Sequence, residues 1–369
     1  MTAASGFTNC ACPCIQQALN KVAGKNAQAL RRDKIGMISF LNSPENLSGI
    51  ETVQLDPGNG KRKCVELNWI QKFCEATINE SITDDCSTGT ETPPFCEDIN
   101  ITKELETDNM MFSEDNMRRL CYPLGETDEM WMAGVMNAQF NAFNTYWDKL
   151  VITEILANVG TFMDGSTIKA LQLFNTAATD QIGPRTRALA NIQNEFDEAG
   201  LSGLPNLIGS GEVNKWAHMI GFGTPNSAGQ DVGMMAAGFN FFYDRFIQGI
   251  FGANEFLVLA PGAAQLLTWN KYVGSYAKKS ATFEHGTIVD PVTGFRYDLK
   301  LHYDDCSDEY YIKLQQNWEL FVVPDEGDAS CADHYGVNGI LNYEACDDIT
   351  ECTDYSCLLY TSPSPRDRS

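Results

Sequence analysis

A stretch without proline, residues 125–160, constrains the fold of this chain more than any other feature. Its polar side chains recur at the spacing i, i+4, i+7 and i+11, which places them on one stripe of an α-helix, while most other positions are apolar. At 1.5 Å per residue such a helix would be roughly 50 Å long, more than the ~30 Å diameter of a small domain. We therefore predict one long spine helix in a flat, elongated subunit, covered by a sheet and by neighbouring copies. A helix broken near Gly134 is the alternative. The stripe consists of Asn137, Asn141, Asn144 and Asp148.

In two later segments the apolar side chains recur at every second residue, which is the spacing of a β-strand. Residues 295–303 alternate apolar and polar side chains, an acidic turn follows, and residues 312–322 alternate again. This pattern predicts a long antiparallel hairpin with one buried and one solvent-facing side. Its buried side would cover the apolar side of the spine helix. His302 falls on the polar side and is predicted to be a solvated surface residue.

The region between the spine and this hairpin alternates helical and extended patterns. The predicted elements suggest a small α/β domain inserted after the spine. Pro261 stands at the favoured first position of a helix. In order, the elements are a helix over 184–199, a strand and turn over 204–209, a glycine-rich loop over 221–238, a helix over 234–251, a buried strand over 255–259 and a helix over 261–276.

Before the spine, the pattern predicts an arm and a projecting hairpin. Residues 16–32 form a basic helical segment, which we expect to lie on another part of the molecule. A turn over residues 56–61 precedes one alternating segment, a long polar excursion follows, and residues 99–101 alternate again. Two strands joined by that excursion would make an extended hairpin. Ser113 is predicted to be the N-cap of a short helix before the spine.

Composition and motifs exclude several classes of function. The net charge of −23 argues against a protein that wraps nucleic acid with its own surface, because neutralising phosphates needs clustered lysine and arginine. The four histidines show no metal-ligand spacing, and the motifs of hydrolases, zinc proteases and dinucleotide-binding proteins are absent. The cysteines at positions 10, 12 and 14 lack the second pair that a zinc finger needs. We expect no catalytic, cofactor-binding or metal site.

Neither a membrane anchor nor a signal peptide is visible in the sequence. No run of 18 apolar residues is present, and the N-terminus lacks the charged and hydrophobic regions of a leader. These features predict a soluble protein made in a cytoplasm, with no membrane partner. Thirteen cysteines are many for that compartment, where disulfides are rare.

The last residues read differently from the rest. The segment CLLYTSPSPRD, residues 357–367, resembles the conceptual translation of a transposase sequencing adaptor. We therefore treat residues 357–369 as an artefact and expect the readable natural sequence to extend to about Ser356.

The order of parts resembles that of the major capsid proteins of tailed phages, which have the Hong Kong 97-type coat fold. Three segments are similar to virion structural proteins of environmental and gut phages: FLVLAPG beginning at Phe256, GFRYDLK beginning at Gly294, and FVVP ending at Pro324. The resemblance covers most of residues 40–324. It implies an α+β fold with an N-terminal arm, an extended β-hairpin loop, a spine helix with an antiparallel sheet, and an inserted α/β domain.

The resemblance also implies a domain organisation. The predicted parts are an N-terminal arm (1–44), an extended loop (45–105), a peripheral domain containing the spine (106–164 and 281–324), an axial domain (165–280) and a C-terminal segment (325–356). Copies of the chain would meet as hexamers and pentamers, with packaged DNA enclosed without sequence-specific contact. Scaffolding and portal proteins are the further partners implied. The protein would be made in the host bacterial cytoplasm and located in the virion.

Contacts between subunits are expected on the projecting elements. The apolar positions suited to them are Val65, Leu67 and Trp69 on the extended loop and Gly221, Phe222 and Gly223 near an axial tip. Three thiols in the otherwise unsupported polar excursion suggest disulfides that form once the particle leaves a reducing cell. These are Cys74, Cys86 and Cys96.

Two other classes of protein remain open. An encapsulin-type compartment shares the fold and would hold an enzyme cargo instead of DNA. A secreted, disulfide-rich binding protein would explain the cysteines, but it needs the signal peptide that the sequence lacks.

Overall fold

The computed structural model describes much of the chain. The described residues are 15–17, 19–20, 33–47, 51–53, 64–68, 96–113, 128–162, 165–173, 182–201, 203–221, 239–252, 254–273, 276–280, 282–304, 306–307, 309–324 and 338–346. The helices are α1 (Gly36–Leu41), α2 (Pro44–Leu47), α3 (Asp128–Leu156), α4 (Ile182–Ala199), α5 (Gly211–Gly221) and α6 (Ile247–Ile250).

The strands form three sheets. The first is antiparallel with the order β1-β2-β3, and contains β1 (Glu51–Val53), β2 (Cys64–Asn68) and β3 (Cys96–Asn100). The second has seven strands: β4 (Lys103–Glu106), β5 (Met110–Ser113), β10 (Ala264–Trp269), β11 (Lys278–Lys279), β12 (Phe283–Val289), β13 (Arg296–Asp304) and β14 (Glu309–Val322). The third has the order β6-β15-β9-β7-β8, and contains β6 (Lys169–Gln172), β7 (Asn206–Gly209), β8 (Asn240–Tyr243), β9 (Glu255–Leu259) and β15 (Ile340–Cys346).

The spine helix is α3, and it is unbroken. It spans 29 residues, or roughly 43 Å, and passes through Gly134 without interruption. Its apolar positions carry large side chains that tertiary packing can bury, which stabilises a helix more than intrinsic propensity does. The alternative of two shorter helices is therefore wrong, and the predicted α+β fold with a long spine is confirmed. Its buried core residues are Ala133, Met136, Phe140, Phe143, Trp147, Val151, Ile152 and Ile155.

The predicted long hairpin is confirmed as β13 and β14, which pair antiparallel with Leu299 opposite Leu314. Their buried side covers the spine helix, as expected. The Tyr297 ring lies 5.2 Å from the rings of both Phe140 and Phe143, measured between centroids.

The opposite side of the hairpin is less exposed than its polar pattern suggests. Asp298 is 1 % exposed and accepts backbone hydrogen bonds from Lys271 and Tyr272 at 2.7 and 3.1 Å. Burial raises the pKa of Asp298, although these two N–H donors act in the opposite direction. The segment after β10 therefore covers one end of the side that the sequence assigns to solvent.

Two predicted helices in the region after the spine are wrong. In place of a helix over 234–251, the structure has strand β8 and the short helix α6, and residues 222–238 lie outside the described part. In place of a helix from Pro261, a turn with Gly262 at φ +80° leads into β10, which pairs with β14. The strands that form there, β8 and β10, are short and largely apolar, so their periodicity does not separate a buried strand from a helix.

Three other elements predicted for this region are confirmed. The helix predicted over 184–199 is α4, and the strands predicted over 204–209 and 255–259 are β7 and β9. Strand β15 lies between β6 and β9 although its residues belong to the predicted C-terminal segment, and β10 joins the seven-stranded sheet. The domain boundaries themselves remain a prediction.

Before the spine, Ser113 ends β5, and the helix predicted after it lies outside the described residues.

Near the N-terminus, the described helical residues of the arm lie against the seven-stranded sheet. Ile15 and Leu19 are buried. The Gln16 side chain donates to the carbonyl of Val289 at 3.0 Å and accepts from its N–H at 2.7 Å. These paired hydrogen bonds extend the edge of β12, so this turn of the arm is part of the body of the subunit.

Helix α1 packs so closely on the end of β8 that its first residue must be glycine. A Cβ on Gly36 would lie 2.8 Å from both the carbonyl carbon and the oxygen of Tyr243. We expect Gly36→Ala to lower the free energy of unfolding by about 1–3 kcal/mol, because backbone atoms cannot move aside as a side chain can. Chemical denaturation of the dissociated subunit would measure this change.

The spine helix supplies the matched control for that substitution. A Cβ on Gly134 would meet no atom within 4 Å. We expect Gly134→Ala to raise the free energy of unfolding by about 0.5–1 kcal/mol, because alanine loses less conformational freedom in a helix than glycine. Equal effects of the two substitutions would contradict the close contact at Gly36.

Candidate functional site

Most of the polar stripe of the spine helix is buried: Asn137, Asn144 and Asp148 are buried, and Asn141 is half-buried. Asn144 is 2 % exposed and donates from Nδ2 to Asp290 Oδ2 at 3.2 Å. The Tyr297 hydroxyl donates to Asn144 Oδ1. Asp290 lies in the turn between β12 and β13, where it also accepts from the Val292 N–H and the Thr293 hydroxyl. The stripe thus fixes the register of the sheet on the helix through directional bonds as well as apolar contact.

Further along the stripe, two buried carboxyl groups hold the first turn of α1. Asp148 Oδ1 accepts from the Ile38 N–H at 3.1 Å, and Asp244 Oδ2 accepts from the Met37 N–H at 2.9 Å. Ile35, the N-cap residue of α1, makes no side-chain cap. Carboxylates are favoured at a helix N-terminus, where N–H groups lack partners within the helix. The two aspartates therefore replace a local cap, and they tie α1 to both the spine and β8.

Asp148 is the most strongly perturbed carboxyl group of the described core, and Asp244 is its neighbour. Both are fully buried. Burial first, and then the neighbouring Asp244 carboxylate, raise the pKa of Asp148 well above its ordinary value. Asp148 therefore retains its proton at a pH where exposed carboxyl groups have lost theirs.

The segment before α1 is bound to the same stripe. Asn141 Oδ1 accepts from the Asp33 N–H at 2.9 Å, and its Nδ2 donates to the Asp33 carboxylate at 3.3 Å. Asp33 also forms an ion pair with Arg245, whose N–H donates to the carbonyl of Lys34 at 3.2 Å. Residues 33–41 are thus fixed along the spine, and they set where the N-terminal arm leaves the body.

A second cluster fixes the place where the first sheet joins the body. Lys103, three residues after β3, lies 2.7 Å from Glu154 and 2.8 Å from Glu319, with its Nζ 4.9 Å from the centre of the Trp318 ring. Burial lowers the pKa of Lys103, but the two carboxylates outweigh it, and the net shift is upward. The three charges join β4, the end of the spine and β14. A cavity of about 600 Å³ beside them is lined by Asn100 and Glu154, among others.

A third cluster lies on the solvent-facing side of β12 and β13. His285 and His302 meet with their Nε2 atoms 3.1 Å apart, although 17 positions separate them in the chain. His302 is exposed, as predicted. A nearby cavity of about 380 Å³ is lined by Asn109, Lys300, His302, Tyr311 and Lys313. Sequence spacing alone does not show this pair, because the strand register creates it.

The structure describes three of the six predicted contact residues. Val65 and Leu67 lie on β2, which pairs with β3 as the predicted hairpin requires. Gly221 is the last residue of α5. The other three, Trp69, Phe222 and Gly223, lie outside the described residues, and the contact roles of all six remain predictions.

The predicted disulfide cysteines are also untested. Cys96 begins β3 opposite Asn68, and Cys74 and Cys86 lie outside the described residues. At the end of β15, Cys346 is disulfide-bonded, whereas Cys306 in the turn between β13 and β14 is an exposed free thiol.

The described residues meet neither the requirements of a metal site formed by their own side chains nor those of a membrane-spanning helix. Those residues contain no group of three or more histidine, cysteine, aspartate or glutamate side chains arranged to hold a metal ion. Among the helices that they form, none combines the length and the apolar character needed to span a membrane.

Comparisons with known proteins find similarity only among solved structures. No family model matches the sequence, and no curated protein does. The Cyanophage A-1(L) capsid asymmetric unit is 12 % identical, covers 78 % of this chain and 89 % of its own, and has a TM-score of 0.46. A structure from Mycobacterium phage Adephagia is 11 % identical, with coverages of 89 % and 97 % and a TM-score of 0.45. The capsid structure of Cyanophage P-SCSP1u is 10 % identical, with coverages of 78 % and 84 % and a TM-score of 0.42. At such identities, the assignment of function depends on the chain's own architecture.

Proposed function

We propose that this chain is the major capsid protein of a tailed phage, with the Hong Kong 97-type coat fold. Copies of it would self-assemble into an icosahedral shell around the double-stranded DNA genome. The proposal extends to this chain the capsid role of the two cyanophage structures to which it is similar.

One observation carries the proposal: the order of the parts along the chain. A three-stranded antiparallel sheet comes first and the 29-residue spine helix follows. Four of the five strands of a mixed sheet come next, then the long antiparallel hairpin that packs on the spine, and the fifth strand, β15, follows the hairpin. This is the order in which the coat fold of that family, as the sequence resemblance implies it, arranges its extended loop, spine, axial domain and peripheral sheet. A spine of this length also suits a flat wall subunit, because it extends beyond the diameter of a small domain.

The structure supports the role of rigid building block through its seams. Asn144, Asp148 and Lys103 each join the spine to another part of the chain by hydrogen bonds or ion pairs. A subunit fixed in this way can meet its neighbours through the same surfaces in every copy. Repeated heterologous contacts, each burying on the order of 1,000 Å² or more, then close into a shell.

The charge of the chain suits a container for DNA. With a net charge of −23, most of its surface repels phosphate and does not bind it. We infer that the genome is enclosed without sequence-specific contact. The finer parts of the proposal follow from the family resemblance: synthesis in the host bacterial cytoplasm, location in the virion, assembly as hexamers and pentamers, and cooperation with scaffolding and portal proteins.

Expression of the full chain tests the proposal directly. We expect closed shells, or rings of five and six subunits, in negative-stain electron microscopy, and a matching large species in light scattering. DNA recovered from nuclease-treated particles would support a virion shell, whereas a protein cargo without DNA would indicate a compartment. A chain that stays a monodisperse monomer at every concentration tested would contradict self-assembly.

A further inference from the structure

A row of basic residues crosses four strands of the seven-stranded sheet. Lys278 on β11 lies opposite His285 on β12, His285 lies opposite Lys300 on β13, and Lys300 lies opposite Lys313 on β14. Directly opposed residues project from the same side of a sheet. The row therefore forms one continuous basic stripe, which we call the basic row, and His302 lies beside it.

The basic row is only partly neutralised within the subunit. Lys313 binds the Glu106 carboxylate at 2.6 Å. Lys278 and Lys300 have no carboxylate within 4 Å in the part of the chain that the structure describes. Like charges that face each other across strands destabilise a sheet. An isolated subunit thus carries an unfavourable arrangement that an external anionic group would relieve.

The histidine within the row, His285, is affected by the same positive field. Burial lowers the pKa of His285, and His302, Lys300, Lys278 and Lys271 lower it further. The imidazole of His285 therefore stays neutral at a pH where an isolated histidine begins to take up a proton. The charge of the row comes mainly from its lysines.

The surroundings of the row have the composition of a protein contact. Met111 is 56 % exposed, and it lies opposite Tyr311 on the neighbouring strand. Methionine and aromatic residues are enriched at protein interfaces. The cavity of about 380 Å³ between Lys300, Lys313 and Asn109 has room for an acidic side chain.

We propose that the basic row binds an acidic surface segment of a second copy of this chain. The chain has 49 acidic and 26 basic residues, so the complementary charge is abundant on every neighbouring copy. Within the Debye length of about 8 Å at physiological salt, local complementarity outweighs the net repulsion between copies. This inference rests on the proposed function, because it names a contact through which the shell would close.

Nucleic acid is the less favoured partner for the same surface. A duplex offers phosphates but no apolar group to contact Met111 and Tyr311. The row spans four strands, roughly 15 Å, which is short for a surface that must neutralise many phosphates.

Cross-linking of mixed copies tests the contact. Particles assembled from equal amounts of ordinary and ¹⁵N-labelled chain would be treated with a carbodiimide, which joins an amine to a carboxylate that touches it. We expect amide links between Lys278 or Lys300 of one copy and an aspartate or glutamate of a copy with the other label. Links of these lysines only within a single chain would overturn the proposal.

Charge reversal gives a second test. We expect Lys278→Glu/Lys300→Glu to raise the subunit concentration needed for assembly by at least about tenfold, which corresponds to about 1.4 kcal/mol. The dissociated variant should unfold at the same temperature as the unchanged chain or higher, because it loses opposed like charges. The control Lys34→Glu/Lys149→Glu makes the same change of charge at two exposed lysines outside the row and should assemble normally.

The outcomes separate this inference from the proposed function. If the unchanged chain forms shells and Lys278→Glu/Lys300→Glu forms them equally well, only the inference fails. If the unchanged chain forms no assembly, both fail. Binding of linear duplex DNA that is lost in this variant, with assembly unaffected, would assign the row to nucleic acid and overturn the contact proposed here.

Discussion

Replacing Trp147 by alanine should lower the free energy of unfolding by about 3–5 kcal/mol. Trp147 lies in the second half of the spine helix and is fully buried. Its ring centre is 5.0 Å from that of Phe295 and 6.1 Å from that of Trp318, so this one side chain contacts the hairpin at β14 and just before β13. Its loss would leave a cavity between helix and sheet that neither element can close without giving up its own hydrogen bonds.

The neighbouring position provides the control. Tyr146 is 55 % exposed, and Tyr146→Ala should change the free energy of unfolding by no more than about 0.5 kcal/mol. Trp147→Phe should be intermediate, because it keeps a ring in the pocket. It also removes the indole N–H, which has no hydrogen-bond partner in the described structure. Urea denaturation of the dissociated subunit, followed by far-UV circular dichroism, measures all three. Equal midpoints for Trp147→Ala and Tyr146→Ala would contradict the role of the spine as the core of the fold.

Sequence periodicity predicts the spine and hairpin because each depends on one repeated pattern. The four polar residues of the stripe show the helix, and the alternation around Leu299 and Leu314 shows the strands. Each pattern continues for many residues, so chance matches are rare. The same patterns give no information about which groups the polar residues bind. The partners of Asn144 and Asp148 lie more than a hundred positions away in the chain.

The errors in the prediction have a common physical cause. Residues 239–243 and 264–269 are short, largely apolar runs in which the polar Asn240 and Gln265 are buried as well, so the hydrophobic pattern carries no clear period. Their neighbours in space decide the outcome: β8 pairs with β7, and β10 pairs with β14. The basic row depends on the same information, because Lys278 and Lys313 become part of one stripe only through the register of three strand pairs.

Replacing Asp244 by alanine should lower the free energy of unfolding by about 2–6 kcal/mol. Its carboxylate accepts from the Met37 N–H at 2.9 Å and from the Phe246 N–H at 2.8 Å, and its side chain is fully buried. Each buried donor left without a partner costs about 1–3 kcal/mol. We expect α1 to detach from β8, and limited proteolysis of the variant should cut within residues 33–47 before any other described region. A variant as resistant as the unchanged chain would contradict this role.

Asp148 should affect stability differently, because it holds a proton. Asp148 Oδ2 is buried and accepts no hydrogen bond from a protein donor, so a proton there displaces no donor and can be shared with the neighbouring Asp244 carboxylate. Burial and the Asp244 carboxylate raise the pKa of Asp148 above the ordinary value of about 3.9, which it regains on unfolding. The folded state therefore binds the proton more tightly than the unfolded state. The resulting stability is complete below the ordinary pKa and is lost as the pH rises through the folded pKa.

Asp148→Asn removes this titration while keeping a carbonyl oxygen for the Ile38 N–H. We expect the unfolding midpoint of the unchanged chain to fall relative to that of Asp148→Asn as the pH rises from about 4 to about 9. The side-chain amide can also donate to Asp244, which relieves the repulsion that a second carboxylate would create. Asp197→Asn, on the exposed side of α4, is the control and should follow the pH profile of the unchanged chain. Parallel profiles for Asp148→Asn and the unchanged chain would show that the buried pair holds no extra proton, and the N-terminal segment would then be fixed by hydrogen bonds to two carboxylates at every pH.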